Sequence, residues 1–214
     1  MRLILMGPPG SGKEIQGAML SEKIGVPYVI VEEMLAKSAE EGSKLGEKAQ
    51  YYVERGQPVP DELLVDLVEH RLLKPDCKEG FVLDGFPKSV SQCNRFMSIM
   101  KMRRWPLRSA VNLTVSQEMV VKRLSGRRVC DQCGREYNEF FDPPQKDGVC
   151  DECGGQLFQE KEDRKENAVR RLNEYTSSIR PLEAHLRQKA MLIEVNGDAP
   201  KEEVFQDICE ALRI

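Results

Sequence analysis

No stretch of this sequence approaches the roughly 18 consecutive apolar residues that a membrane-crossing helix requires, so no bilayer span is expected. The opening, MRLILMGPPGSGKE, passes from a short apolar run straight into a glycine loop, which argues against a cleaved leader. An internal repeat and a low-complexity tract are also missing. Neither sign of charge dominates: 32 Lys and Arg are interspersed with 35 Asp and Glu, for a net charge of −3. That balance gives no basic footprint for nucleic acid, so any recognition of phosphate has to be local. The seven cysteines are an odd number, and four of them fall into two CxxC pairs. Such a distribution suits metal binding in a reducing compartment better than a disulfide framework, and a cytoplasmic location is expected. Cys77, Cys93 and Cys209 have no partner of this kind and read as small buried or half-buried side chains.

What is present is enough chain, 214 residues, for one substantial core with small inserted subdomains. Arg2 to Met6 reads as a buried strand closed by Gly7-Pro8-Pro9-Gly10, with a helix from about Lys13. Further strands are predicted at Tyr28 to Val31, Phe81 to Leu83, Ala110 to Val115 and Met191 to Val195, with helical stretches such as Ser116 to Leu124 and Glu202 to Leu212 between and after them. Strands alternating with helices predict an α/β fold, a parallel sheet covered on both faces. Two regions break the rhythm. Glu32 to Val59 reads as helix only, and Arg127 to Asp163 is a run of short polar segments carrying the paired cysteines. Glu166 to Lys189 fits one long helix, interrupted near Pro181.

Gly7-Pro8-Pro9-Gly10-Ser11-Gly12-Lys13 lies between a predicted strand and a predicted helix, the context a phosphate-cradling loop needs. Its glycines let successive N–H groups point inward, the helix start adds partial positive charge, and Lys13 would reach the β and γ phosphates. A plain glycine turn is the competing reading. The pattern normally continues with Ser or Thr, but here come Glu14 and Ile15. A carboxylate ~4 Å from a phosphate oxygen repels it by ~1 kcal/mol in bulk water and ~4 kcal/mol at an effective dielectric near 20. Glu14 could instead bind magnesium directly.

Cys130-x-x-Cys133 and Cys150-x-x-Cys153 are separated by 16 residues, a spacing that turns four thiolates toward one tetrahedral ion. All four ligands would come from protein, so the site is expected to be closed and structural. Zinc is the default, with iron and cobalt the alternatives for four thiolates.

Gly7 to Lys13, taken with Val59-Pro60-Asp61-Glu62, Asp84-Gly85-Phe86-Pro87, Arg123-Leu124-Ser125-Gly126-Arg127-Arg128 and the cysteine insert, resembles the adenylate kinase family in its long form with a zinc lid. The resemblance is collinear over nearly the whole chain. It implies a P-loop NTPase-like core with a five-stranded parallel sheet at 1–29, 60–126 and 165–214, a helical NMP-binding subdomain at 30–59 and a zinc-binding lid at 127–164. It also implies that ATP, with Mg, passes its γ phosphoryl in line to AMP or another nucleoside monophosphate, with no histidine needed, so His70 and His185 are not catalytic candidates. Residue by residue, the resemblance assigns Lys13, Asp84, Arg123 and Arg171 to catalysis. It assigns Gly7, Gly10, Ser11, Gly12, Gly85, Lys88 and Arg127 to nucleotide binding, Val59 and Gln92 to the AMP base, and Asp163 to an acidic lid position. A monomer is implied; no protein partner is.

The departures from the family pattern concentrate along the expected reaction path. Besides Glu14 and Ile15, a segment like STGDMLR reads Ile30-Val31-Glu32-Glu33-Met34-Leu35-Ala36, so Val31 and Ala36 replace a threonine and an arginine. Lys88 replaces the arginine of DGFPR and loses its planar fork, and Glu160 stands where the lid has a phosphate-gripping arginine. Losing one such donor typically costs ~3 to 4 kcal/mol of transition-state stabilisation, so phosphoryl transfer is expected to be severely weakened or lost. The alternatives are a working kinase with an altered pocket and a zinc-stabilised partner-binding protein that takes no nucleotide.

Overall fold

A computed structural model describes all of residues 1–214. Along the chain, β1 (Arg2–Met6) leads through the glycine loop into α1 (Lys13–Ile24), and β2 (Tyr28–Ile30) runs directly into α2 (Val31–Glu40). Next come α3 (Lys44–Val53), α4 (Asp61–Leu72), β3 (Phe81–Asp84), α5 (Val90–Met102), β4 (Ser109–Thr114) and α6 (Gln117–Ser125). The polar insert holds β5 (Arg127–Cys130), β6 (Glu136–Asn138) and β7 (Leu157–Phe158), and α7 (Lys165–Gln188), β8 (Leu192–Asn196) and α8 (Lys201–Leu212) complete the chain.

The five core strands pair in the order β2-β3-β1-β4-β8, every pair parallel. Their side chains alternate between two buried faces, as a sheet covered on both sides demands. Ile4, Phe81, Leu83 and Ala110 join Val68, Phe96 and Leu182 of the helices on one face. Leu3, Leu5, Val82 and Val111 join Leu20 and Ile208 on the other. The chain order reverses at β1, which lies between β3 and β4, and the loops leaving the carboxyl ends of β1 and β3 open there. In sheets of this kind ligands bind at that reversal.

Three of the eight helix starts follow from side-chain capping. The hydroxyls of Ser43, Ser89 and Ser116 accept hydrogen bonds from the backbone N–H groups of Gly46, Gln92 and Met119. Two expectations change in detail. Val31 begins α2 rather than ending β2, and the helical region after it is two helices parted by Gly42-Ser43. The long helix α7 is not interrupted at Pro181: Ile179, Leu182 and Leu186, at i, i+3 and i+7, are all buried and hold both sides of the proline onto the core. No helix is long and apolar enough to cross a membrane.

Candidate functional site

The loop after β1 turns into α1 at Gly12, which caps the helix in the left-handed region at φ 83°, where a side chain would be strained. This places Lys13 as the first residue of the helix, its ammonium 3.9 Å from Asp84 Oδ2 at the end of β3. Asp84 is 2% exposed; burial raises its pKa above the ordinary carboxylate value, and the Lys13 charge works against that rise. Its Oδ1 is buried with no protein partner, as is the Ser11 hydroxyl. Oxygen donors left open in this way fit the water shell of a magnesium ion, with Asp84 as the residue that would hold it. Glu14 points outward: its side chain is 75% exposed and lies 3.8 Å from the Lys13 ammonium. Its effect on a bound phosphate therefore lies nearer the ~1 kcal/mol expected in water than the ~4 kcal/mol of a shielded site. Ile15 is exposed as well.

The remaining cations are already engaged with the chain itself. Arg127, on the first strand of the insert, donates to Asp163 Oδ2 at 2.9 Å, to Glu136 Oε1 at 2.5 Å and to Glu160 Oε2. The Glu136 hydrogen bond, followed by those to Asp163 and Glu160, raises its pKa further above the ordinary arginine value. Arg123 donates to the carbonyls of Ser11 and Gly197 at 3.2 and 2.7 Å, bracing the glycine loop from beneath, and burial lowers its pKa. Lys88 Nζ lies 3.0 Å from Glu32 Oε1. Burial opposes ionisation of Glu32, but the Lys88 ammonium, helped by Lys13 and Arg171, outweighs it, so that carboxyl sits below its usual range. Arg171 is the least engaged, with Asp163 Oδ1 at 3.4 Å as its acidic partner.

Gln92 is committed within the protein. Its Oε1 accepts from the Lys88 N–H at 2.7 Å and its Nε2 donates to Asp61 Oδ1 at 2.6 Å, so its amide braces the Gly85 to Lys88 turn against α4. Val59 packs against the larger core cluster, Val31 is buried at the start of α2, and Ala36 is exposed on the same helix. Asp163 is 1% exposed and joins Arg127 to Arg171. His70 lies in α4 and His185 in α7, the latter hydrogen-bonded to Asn94. Cys77 and Cys93 are buried, and burial pushes the Cys77 thiol up to about 11.

In the insert, the ligand atoms of Cys130, Cys133, Cys150 and Cys153 all lie within 4.8 Å of one another. The Cys130–Cys153 and Cys133–Cys150 sulfurs are 3.4 and 3.6 Å apart. Thiolates ~2.3 Å from a tetrahedral ion stand about 3.8 Å apart, so the four sulfurs fit zinc with little adjustment. Each CxxC is followed by a glycine at positive φ, Gly134 at 71° and Gly154 at 74°, whose N–H returns to the carbonyl of the first cysteine of its pair.

The Adenylate kinase family profile matches residues 5–191. The chain belongs to the adenylate kinase family. Relatives named Adenylate kinase include that of Desulfitobacterium hafniense (strain Y51), 41% identical over 212 residues covering 99% of this chain and 98% of that protein. The Acetivibrio thermocellus protein is 39% identical with the same coverage, and that of Archaeoglobus fulgidus is 38% identical over 97% of this chain and 96% of its own. Three residues of this adenylate-kinase-family chain escaped reading from sequence: Tyr28, Glu32 and Glu136. The doubled acid Glu32-Glu33 at a helix start was a visible signal, but it reads equally as support for the helix dipole. Pairing it with Lys88, 56 residues away, required the fold.

Proposed function

We propose that this adenylate-kinase-family chain has lost, or retains only severely weakened, phosphoryl transfer between ATP and AMP, and works as a nucleotide-binding or regulatory pseudoenzyme. The observation that carries this reading is the enclosure of Arg127 by Glu136, Glu160 and Asp163, of which Glu160 takes a position where the family resemblance puts a phosphate-gripping arginine. Glu32 on Lys88 repeats the arrangement on the side assigned to AMP. In this reading the core comprises 1–29, 60–126 and 165–214, the NMP-binding subdomain 30–59 and the lid 127–164. Lys13 and Arg171 face the transferred phosphoryl, Asp84 holds the hydrated magnesium that comes with ATP and neutralises charge on the phosphates, and Arg123 acts from beneath the loop. Closure of the lid excludes water from the cleft. Zinc is structural, the chain is a cytoplasmic monomer, and its ligands are ATP and AMP or another nucleoside monophosphate.

A second reading, a working kinase, is favoured by the surviving loop backbone with Lys13 and Asp84, and by relatives at about 40% identity that bear the kinase name. A coupled assay of ADP formation from ATP, AMP and magnesium separates the two. Calorimetry with diadenosine pentaphosphate separates both from a protein that takes no nucleotide, which would show no heat.

A further inference from the structure

Tyr28 opens β2 and carries its ring beneath the glycine loop, to the residue that would hold magnesium. Its hydroxyl donates to Asp84 Oδ2 at 2.6 Å and stands 3.5 Å from the backbone carbonyl of Lys13. The same carboxylate oxygen has the Lys13 ammonium at 3.9 Å, beyond hydrogen-bonding distance, while Oδ1 is buried and open. The phenol is therefore the one side chain that hydrogen-bonds Asp84. The ring fits there because residue 17 on α1 is glycine: a Cβ at Gly17 would overlap the ring and hydroxyl of Tyr28. Gly17 and Tyr28 are a matched pair, 11 residues apart in sequence, one supplying the space that the other fills.

We propose that Tyr28, admitted by Gly17, is a positioning residue that competes for the Asp84 carboxylate with the hydrated magnesium accompanying ATP. The inference rests on the reading of this chain as a nucleotide binder. Magnesium arriving at Asp84 either meets Oδ1 alone or displaces the phenol. A displaced hydroxyl has one nearby acceptor, the Lys13 carbonyl, and reaching it moves the ring within a space that the glycine has just opened. Either route lowers the gain in ATP affinity that magnesium brings. A hydrogen bond to a charged group corresponds to roughly tenfold to a hundredfold in an equilibrium constant, which sets the size of the effect.

The test is calorimetric titration of the zinc-loaded full chain with ATP, with and without magnesium, for the wild type, Tyr28→Phe and Gly17→Ala. Magnesium is expected to improve ATP affinity less than about threefold in the wild type and about tenfold or more in Tyr28→Phe, which keeps the ring and loses only the donor. Gly17→Ala, which expels the ring, is expected to match Tyr28→Phe; if it fails to fold, Tyr28→Phe alone decides. ATP binding with the same magnesium gain in wild type and Tyr28→Phe would overturn the inference, reducing Tyr28 to a filler beneath the loop, and leave the nucleotide-binding reading standing. Absence of ATP heat from all three folded, zinc-loaded proteins would overturn that reading, and the inference with it.

Discussion

The four-cysteine cluster and the cleft at the glycine loop of this chain are both built on glycine turns, yet they treat their charged side chains in opposite ways. In the insert four thiols converge on one point, with the Tyr137 hydroxyl 3.5 Å from Cys150 beside them, an arrangement that fits a tetrahedral cation. In the cleft, Arg127 and Lys88 converge on Glu136, Glu160, Asp163 and Glu32, and the chain satisfies them without a ligand. A site that depends on its ligand leaves its donors uncompensated. In the reading proposed above, a site whose cations are met by the protein's own carboxylates is already complete.

Removing the metal should produce the largest effect. Structural zinc contributes roughly 10 to 16 kcal/mol of apparent binding energy to a small domain, far more than the short strands β5, β6 and β7 can replace. Chelation, or Cys150→Ser, is expected to abolish amide-exchange protection across the insert while β1 and β3 stay protected. Retained protection in the insert without metal would erase the contrast between the two sites.

The cleft should respond next most strongly. The changes Glu14→Gly, Ile15→Thr, Val31→Thr, Ala36→Arg, Lys88→Arg and Glu160→Arg, with Glu32→Gln added, are expected to raise ADP-forming turnover about a thousandfold or more, since each restored donor is worth about 10² to 10³. No gain in a folded variant would mean that the damage lies elsewhere. Glu32→Gln alone frees Lys88 and should tighten AMP about tenfold while leaving adenosine, which has no phosphate, unchanged; calorimetry with both ligands reads the difference. Equal effects on the two ligands would break the idea of an internal anion.

Glu14→Gln should do least. The exposed carboxylate is screened, so ATP affinity is expected to change by less than about fivefold despite the prominence of this residue in the sequence pattern.

Legibility followed the same division. The sheet could be read because its strands are short apolar runs closed by glycine or followed by helical periodicity, and Arg2–Met6 matches the observed β1 residue for residue. The knuckle could be read because spacing alone fixes CxxC geometry. Charge pairing in the cleft could not, since Arg127–Glu160 and Lys88–Glu32 join residues 33 and 56 positions apart that only the fold brings together. Side-chain direction was equally hidden: Glu14 follows Lys13 directly, yet the helix turns its carboxylate out to solvent. The resemblance assigned Gln92 to the AMP base, but gave no sign that Asp61 and the Lys88 N–H bond both ends of its amide. Steric pairs such as Gly17 and Tyr28 leave no mark in a sequence at all.

The most direct measurement of the central claim is the initial rate of ADP formation by the zinc-loaded wild-type chain at saturating ATP, AMP and magnesium. Kinases commonly turn over at 1 to 100 s⁻¹, and the loss of several charged donors predicts a rate below about 10⁻² s⁻¹ here. A wild-type rate of tens per second would contradict it, and would mean that phosphate enters the cleft regardless of the carboxylates that stand there.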